Sequence, residues 1–244
     1  MGRLTEAVKH ILIINVIMFI ATSLYGDQMY QWMSLWFPKN PNFEWWQVVT
    51  HMFMHGNFMH ILFNMYALWA FGTPLERIWG KNKFLFFYFS AGLGSAALHT
   101  GVNYFLFNEG MSALEGAGIA RTQILDILAN GQYSPGWYDI VGKSTVDSML
   151  TAFNTPAVGA SGAIYGILVA FAFMYSEAKL MLIFLPVPIK AKYFVPILIA
   201  VDLIFGIGNV NTGVAHFAHI GGALIGFIMM WYWKKNQFNN NRWD

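Results

Sequence analysis

The sequence has no cysteine among its 244 residues. Disulfides, thiolate catalysis and cysteine-ligated metal sites are therefore excluded, and the redox compartment leaves no trace. Charge is also scarce. Charged residues make up 11% of the chain and hydrophobic residues 57%, whereas a soluble globular domain carries about 25% charged residues. That balance describes a membrane protein, with the lipid bilayer as its surroundings. A net charge of +2 is too small to argue for nucleic acid as a partner. No small-residue cleavage site follows the first hydrophobic run, which reads as a retained span and not as a signal peptide. No repeat or low-complexity segment divides the chain, so residues 1–244 read as one domain.

Six stretches are apolar over the roughly 17–25 residues that a membrane-crossing helix needs. They lie at about 10–26, 56–73, 84–107, 157–176, 192–208 and 213–233. The run 180–189 is too short to cross, and Pro186 and Pro188 interrupt it. It reads as a connection on the membrane surface. Lysine and arginine set the orientation. Arg3 and Lys9 precede span 1, and Arg77, Lys81 and Lys83 join spans 2 and 3. Lys179, Lys190 and Lys192 join spans 4 and 5, and Lys234, Lys235 and Arg242 follow span 6. Lys39, Arg121 and Lys143 are left for the other side. Both termini are therefore expected in the cytoplasm.

The acidic connection 108–155 is then outside. Within it, Ser144-Thr145-Val146-Asp147 has the form of a capping box. Ile119, Ile124, Leu125 and Leu128 suggest an amphipathic piece. The connection reads as a pair of helices on the outer interface, with a lid or substrate-gating role as the alternative. Trp32, Trp36, Trp45, Trp46, Trp231 and Trp233 fall near span ends, as interfacial tryptophans do.

Polar side chains are costly within spans and usually face the protein interior. His60 and Asn64 fall in the outer half of span 2, Ser161 in the outer part of span 4, and His216 and His219 in the outer part of span 6. Spans 2, 4 and 6 run in the same direction, so these residues share one depth. His60 and Asn64, four apart, share a helix face. A serine beside a histidine base is a nucleophile pair suited to acyl transfer. His60, Asn64 and the Ser161 backbone N–H are candidates for holding an oxyanion. His219 is preferred to His216 as the base, because Gly222 and Gly226 lie on its side of the helix. Those glycines would let span 6 approach Gly162 and Gly166 of span 4 closely. Tyr165, one turn from Ser161, is placed to stack on the His219 ring.

No acidic residue occurs at matching depth in spans 2, 4 or 6, which favours a Ser–His dyad over a triad. Asp202, in span 5, is either a third member or a hydrogen-bonded structural acid; its depth and helix face favour the second. His51 and His55 are expected to hydrogen-bond the loop at the outer boundary, and His99 to be structural. Asn15 and Asn103 are expected to bond between helices. Glu76 and Arg77 read as an ion pair or helix-end cap. Taken singly, Ser161 is a packing residue and His60 a satisfied histidine; their shared depth is what argues for chemistry. A metal site on His51, His55 and His60, or on His216 and His219, is disfavoured: there is no HExxH, and no intramembrane carboxylate is expected to accompany the histidines. The GxSxG elbow is also absent.

These residues resemble the rhomboid family of intramembrane serine proteases. The likeness rests on Gly159-Ala160-Ser161-Gly162 with Tyr165, on THMFMHGNFMHILFN carrying His51, His55, His60 and Asn64, and on Ala218-His219 with Gly222 and Gly226. It covers all six spans. It implies an all-α membrane protein, a six-transmembrane-helix bundle with a half-embedded first outside loop, of the bacterial inner-membrane type. It also implies Ser161 as nucleophile, His219 as base, and His60 and Asn64 as oxyanion stabilisers, with no cofactor and no metal. The implied substrates are transmembrane proteins, cut on the outer side after a small residue and near helix-destabilising residues. By the same analogy span 5 and the loop 206–214 form a mobile gate. Two features depart from the family. Trp46-Gln47 stands where many bacterial members have Trp-Arg, and the 108–155 connection is longer than the minimal bacterial form. Inactive relatives lack the serine or the histidine, and both are present here. The rival readings are a non-catalytic membrane chaperone that binds unstable transmembrane segments, and a channel or transporter. Clustering of the polar residues at one depth disfavours the last.

Overall fold

The computed structural model describes residues 4–182, 185–208 and 212–236. Arg3, Arg242 and residues 209–211 of the expected gate lie outside the described residues. Helices occupy all six apolar stretches. They are α1 (Glu6–Tyr25), α4 with α5 (Phe58–Ala67 and Thr73–Trp79), α6 (Lys81–Gly116), α10 (Ser161–Met174), α11 (Ala191–Ile207) and α12 (His216–Asn236). Short helices α2 (Asp27–Met33) and α3 (Gln47–Thr50) form the first loop, and α7 (Arg121–Ala129), α8 (Gly136–Val141) and α9 (Lys143–Asn154) form the long connection. Among the described residues one helix, α1, is both long and apolar enough to cross a bilayer on length and composition alone. The rest of the set is shorter, broken or polar in part: α10 has 14 residues and α11 has 17, while α6 and α12 carry histidines and charges.

Local chemistry explains several boundaries. Asn57 starts α4 by accepting the His60 backbone N–H at 2.9 Å. Between α4 and α5 the chain widens into a π turn over Leu68–Gly72. Pro74, in the next turn, has no N–H to give to the preceding turn, and the wider turn absorbs that mismatch without ending the helix. Glu76 accepts the Ala7 and Val8 backbone N–H groups at 2.7 and 2.9 Å and the Thr5 hydroxyl. Its role is thus a cap, but for the start of α1, whose first N–H groups have no partner within their own helix. In place of a surface connection at 180–189, two strands pair antiparallel, β1 (Lys179–Leu182) with β2 (Leu185–Lys190). These two strands are a departure from an all-α chain. Beside them, Lys190 and then Lys192 hold the exposed Glu177 carboxyl down to about 2.

The main core gathers α1, the α4–α5 helix, α6, α10, α11 and α12 around Phe84, Phe87 and Tyr88 of α6. A second cluster lies beyond it. The 36 residues of α6 run about 54 Å at 1.5 Å per residue. Its far end supplies Phe107, Met111 and Leu114, which pack with Ile124, Leu128, Trp137, Met149 and Phe153. The connection therefore folds against protein and carries three helices where two were expected. Its capping box is not made. Gly142 precedes α9 with no side-chain cap, and Asp147 instead accepts the Tyr138 hydroxyl at 3.0 Å.

The first loop is fastened to this cluster. Phe37 belongs to it, Asn40 Nδ2 donates to the Phe153 carbonyl at 2.8 Å, and Leu35 and Ala157 exchange backbone bonds at 2.9 Å. Gln47 organises the loop from within. Its amide donates to the Asn42 and Gln31 carbonyls at 2.8 and 3.0 Å and accepts the Trp36 N–H at 3.3 Å. An arginine side chain has no acceptor and could not take the Trp36 N–H as this glutamine does. Asn15 and Asn103 also depart from expectation. Asn15 Nδ2 donates to the Ile11 carbonyl and Asn103 Nδ2 meets His99 Nε2, both within their own helices.

Candidate active site

Ser161 is the first residue of α10. Its backbone N–H is one of the first-turn donors that a helix leaves unpaired, and the positive end of the helix dipole lies there. Gly159 delivers the chain to that point. Its φ of 127° suits only glycine, and a Cβ there would sit 2.9 Å from His60 Nε2 and 3.4 Å from Ser161 Oγ. His60 and Ser161 thus flank one small volume. The Gly159 N–H is held by the His51 carbonyl at 2.9 Å, and the His51 ring bonds the Gln47 carbonyl at 2.8 Å. Gln47 consequently braces the first loop and, through His51, the approach to Ser161.

His219, on α12, places Nε2 2.9 Å from Ser161 Oγ. Two glycine pairs permit this reach. A Cβ on Gly222 would overlap the Gly162 carbonyl, and one on Gly226 would stand 2.7 Å from Gly166 Cα. The backbones of α10 and α12 are in contact where the short serine side chain must meet the imidazole. The Tyr165 ring stacks on His219 at 4.1 Å with an interplanar angle of 14°.

The hydrogen-bond partners assign opposite tautomers to the two imidazoles. Gly56 N–H donates to His60 Nδ1 at 3.4 Å. His60 Nε2 then carries the proton and faces Gly159 as a donor. His219 Nδ1 faces the Asp202 carboxylate oxygen Oδ1 at 3.2 Å. Its proton is on Nδ1, which leaves the Nε2 lone pair for the Ser161 hydroxyl. Asn64 is buried, and its Nδ2 has no partner among the described residues. His55 stacks edge-on to His60 with ring centroids 5.0 Å apart, and its carbonyl accepts the Tyr30 hydroxyl.

Asp202 is where the geometry differs most from the sequence reading. Far from occupying another depth or face, it meets His219, His216 and Tyr165 together. His216 Nδ1 lies 2.6 Å from Oδ1, and the Tyr165 hydroxyl donates to Oδ2. His216 Nε2 in turn accepts the Thr212 hydroxyl at 2.7 Å. The signal was present in the sequence: a single carboxylate inside an apolar run demands donors, and two histidines follow it at 14 and 17 residues. Among the described residues no group of three or more histidine, aspartate or glutamate side chains is placed to hold a metal ion.

Comparison with known proteins places the chain in a family. The sequence profile of the Rhomboid domain matches residues 42–236. The chain is 30% identical over 210 residues to the rhomboid protease AarA of Providencia stuartii, covering 84% of this chain and 59% of that protein. It is 26% identical over 189 residues to the mitochondrial Rhomboid protein 1 of Saccharomyces cerevisiae, covering 77% of this chain and 42% of that protein. It is 26% identical over 185 residues to the rhomboid protease GluP of Bacillus subtilis, covering 76% and 25%. The chain thus spans less than two thirds of the length of these relatives. With the domain match running from residue 42 past Ser161 and His219, the chain belongs to the rhomboid family.

Proposed function

We propose that this protein is an intramembrane serine protease that cleaves membrane-protein substrates in or near a transmembrane segment. The observation that carries the reading is the 2.9 Å contact between Ser161 Oγ and His219 Nε2. Rhomboid family proteins are integral membrane proteins, and here the six helical stretches are the spans. Both termini face the cytoplasm and the site opens outside, as the lysine and arginine distribution requires. The inner membrane of a bacterium is the setting.

The reaction follows from the proton positions. Ser161 Oγ attacks the scissile carbonyl carbon while its proton passes to His219 Nε2. The carbonyl oxygen becomes an oxyanion between the His60 Nε2–H, the Asn64 amide and the Ser161 backbone N–H. His219 then gives its proton to the departing amine, leaving an acyl ester on Ser161. Water attacks the ester, His219 takes the water proton, and its return to Oγ regenerates the enzyme. A non-catalytic chaperone would share the apolar surroundings but would have no use for this bond.

A fluorophosphonate probe tests the reading. It is expected to label the wild type at Ser161 and to leave Ser161→Ala unlabelled. A folded wild type that takes no label, or a Ser161→Ala variant labelled equally, would overturn the assignment. The oxyanion role is read separately. Asn64→Ala is expected to lower kcat about 10–1000-fold, the scale for losing one oxyanion donor. Turnover of Asn64→Ala equal to wild type would remove Asn64 from the site.

A further inference from the structure

Asp202 lies on α11, while the serine and its base lie on α10 and α12. The side chain is buried. Three donors converge on it: His219 Nδ1–H and His216 Nδ1–H at Oδ1, 3.2 and 2.6 Å away, and the Tyr165 hydroxyl at Oδ2. Each contact uses Asp202 as an acceptor, which a carboxylate satisfies at both oxygens without giving a proton of its own. The second histidine is fixed independently, because Thr212 occupies its Nε2 at 2.7 Å. His216 is thereby kept as a donor to Asp202. Tyr165 holds both partners, with its ring on His219 and its hydroxyl on Asp202.

We propose that Asp202 is a positioning residue for the base, so that the site works as a Ser161–His219–Asp202 triad with His216 and Tyr165 fixing the carboxylate. The proposal rests on the serine-protease reading of the preceding subsection. Asp202 has two effects through His219. It keeps the proton on Nδ1, so that Nε2 faces Ser161 as an acceptor. It also places negative charge beside the imidazolium formed when the serine proton arrives. Neither effect reaches the substrate, so the loss of Asp202 acts on turnover and not on substrate binding.

The test compares purified wild type, Ser161→Ala, Asp202→Asn and Asp202→Ala in detergent. The substrate is a fluorescein-labelled single-span protein with an Ala-Gly pair in the outer third of its span. Asp202→Asn and Asp202→Ala are expected to lower kcat about 10²–10⁴-fold with KM changed by less than about threefold. The rate of fluorophosphonate labelling should fall with kcat, while the fraction finally labelled stays at the wild-type level. That endpoint counts folded sites, so a purely structural defect would lower the endpoint and spare the rate. Wild-type kcat and labelling rate in Asp202→Ala would overturn the triad while leaving the protease reading intact. A wild type that neither cleaves nor labels would overturn both. If the variants lose the folded fraction, the His219 Nδ1–H proton resonance of the ¹⁵N-histidine-labelled wild type decides. A strongly deshielded signal supports the triad, and its absence overturns it.

Discussion

Ser161→Ala and His219→Ala are each expected to lower kcat by at least about 10⁴-fold, and the double variant to be no worse than either alone. The reason lies in how the two side chains divide one task. A serine hydroxyl is a weak nucleophile until a base accepts its proton, and His219 Nε2 stands 2.9 Å away to do so. His60 is not set to take over, because the Gly56 N–H faces its Nδ1 at 3.4 Å and leaves Nε2 as the donor side of the neutral ring. Residues that act as a unit show grossly non-additive losses. A steady-state assay with enzyme concentrations corrected for folded protein reads the effect. Turnover in His219→Ala within about tenfold of wild type would show that another group takes the proton.

Gly222→Ala is expected to cost both stability and activity. A Cβ at Gly222 meets the carbonyl oxygen and carbon of Gly162, the residue after the nucleophile. The obstacle is backbone on both sides, so no rotamer change relieves it and the two helices must separate. Overpacking usually costs about 1–3 kcal/mol, and a backbone–backbone clash belongs at the upper end of that range. The same separation lengthens the Ser161–His219 bond. A misplacement of about 1 Å is enough for a loss of about 100-fold. Gly101→Ala is the control, because nothing lies within 4 Å of a Cβ there. A thermal midpoint and kcat for Gly222→Ala equal to those of Gly101→Ala would refute the close seam as the basis of reactivity.

The helices and the components of the site were legible because each is encoded by a local pattern. Apolar runs located the helices to within several residues, apart from the far end of α6, which continues to Gly116, and shared depth brought Ser161, His219, His60 and Asn64 together. The glycines at 162, 166, 222 and 226 pointed to a seam because a small residue every fourth position makes a flat helix face. Contacts between distant segments were less legible. Asp202 was read by depth along its own helix, whereas its partners are set by how α11 leans toward α12, which no local spacing records. Glu76 had the form of a cap, but the helix it caps starts at Glu6. The capping box at Ser144 failed for the opposite reason. The motif was intact, yet Gly142 turned the chain with φ 83° and helix α9 began before the serine.

In the proposed membrane topology, the second cluster around Phe107 and Trp137 gives the protein two cores that answer to different solvents. One would be held together against lipid, where apolar contact with a neighbouring helix gains little over apolar contact with an acyl chain, so fit between glycines decides its strength. The other would be held together against water, where burying apolar surface is itself the driving force. Urea and cold weaken the second kind of core but have no such purchase on the first. In that topology the second cluster is the part that denaturant reaches first. Because Asn40 and Phe37 tie the first loop to it, its loosening is transmitted inward, through Gln47 and His51, to the turn that presents Ser161.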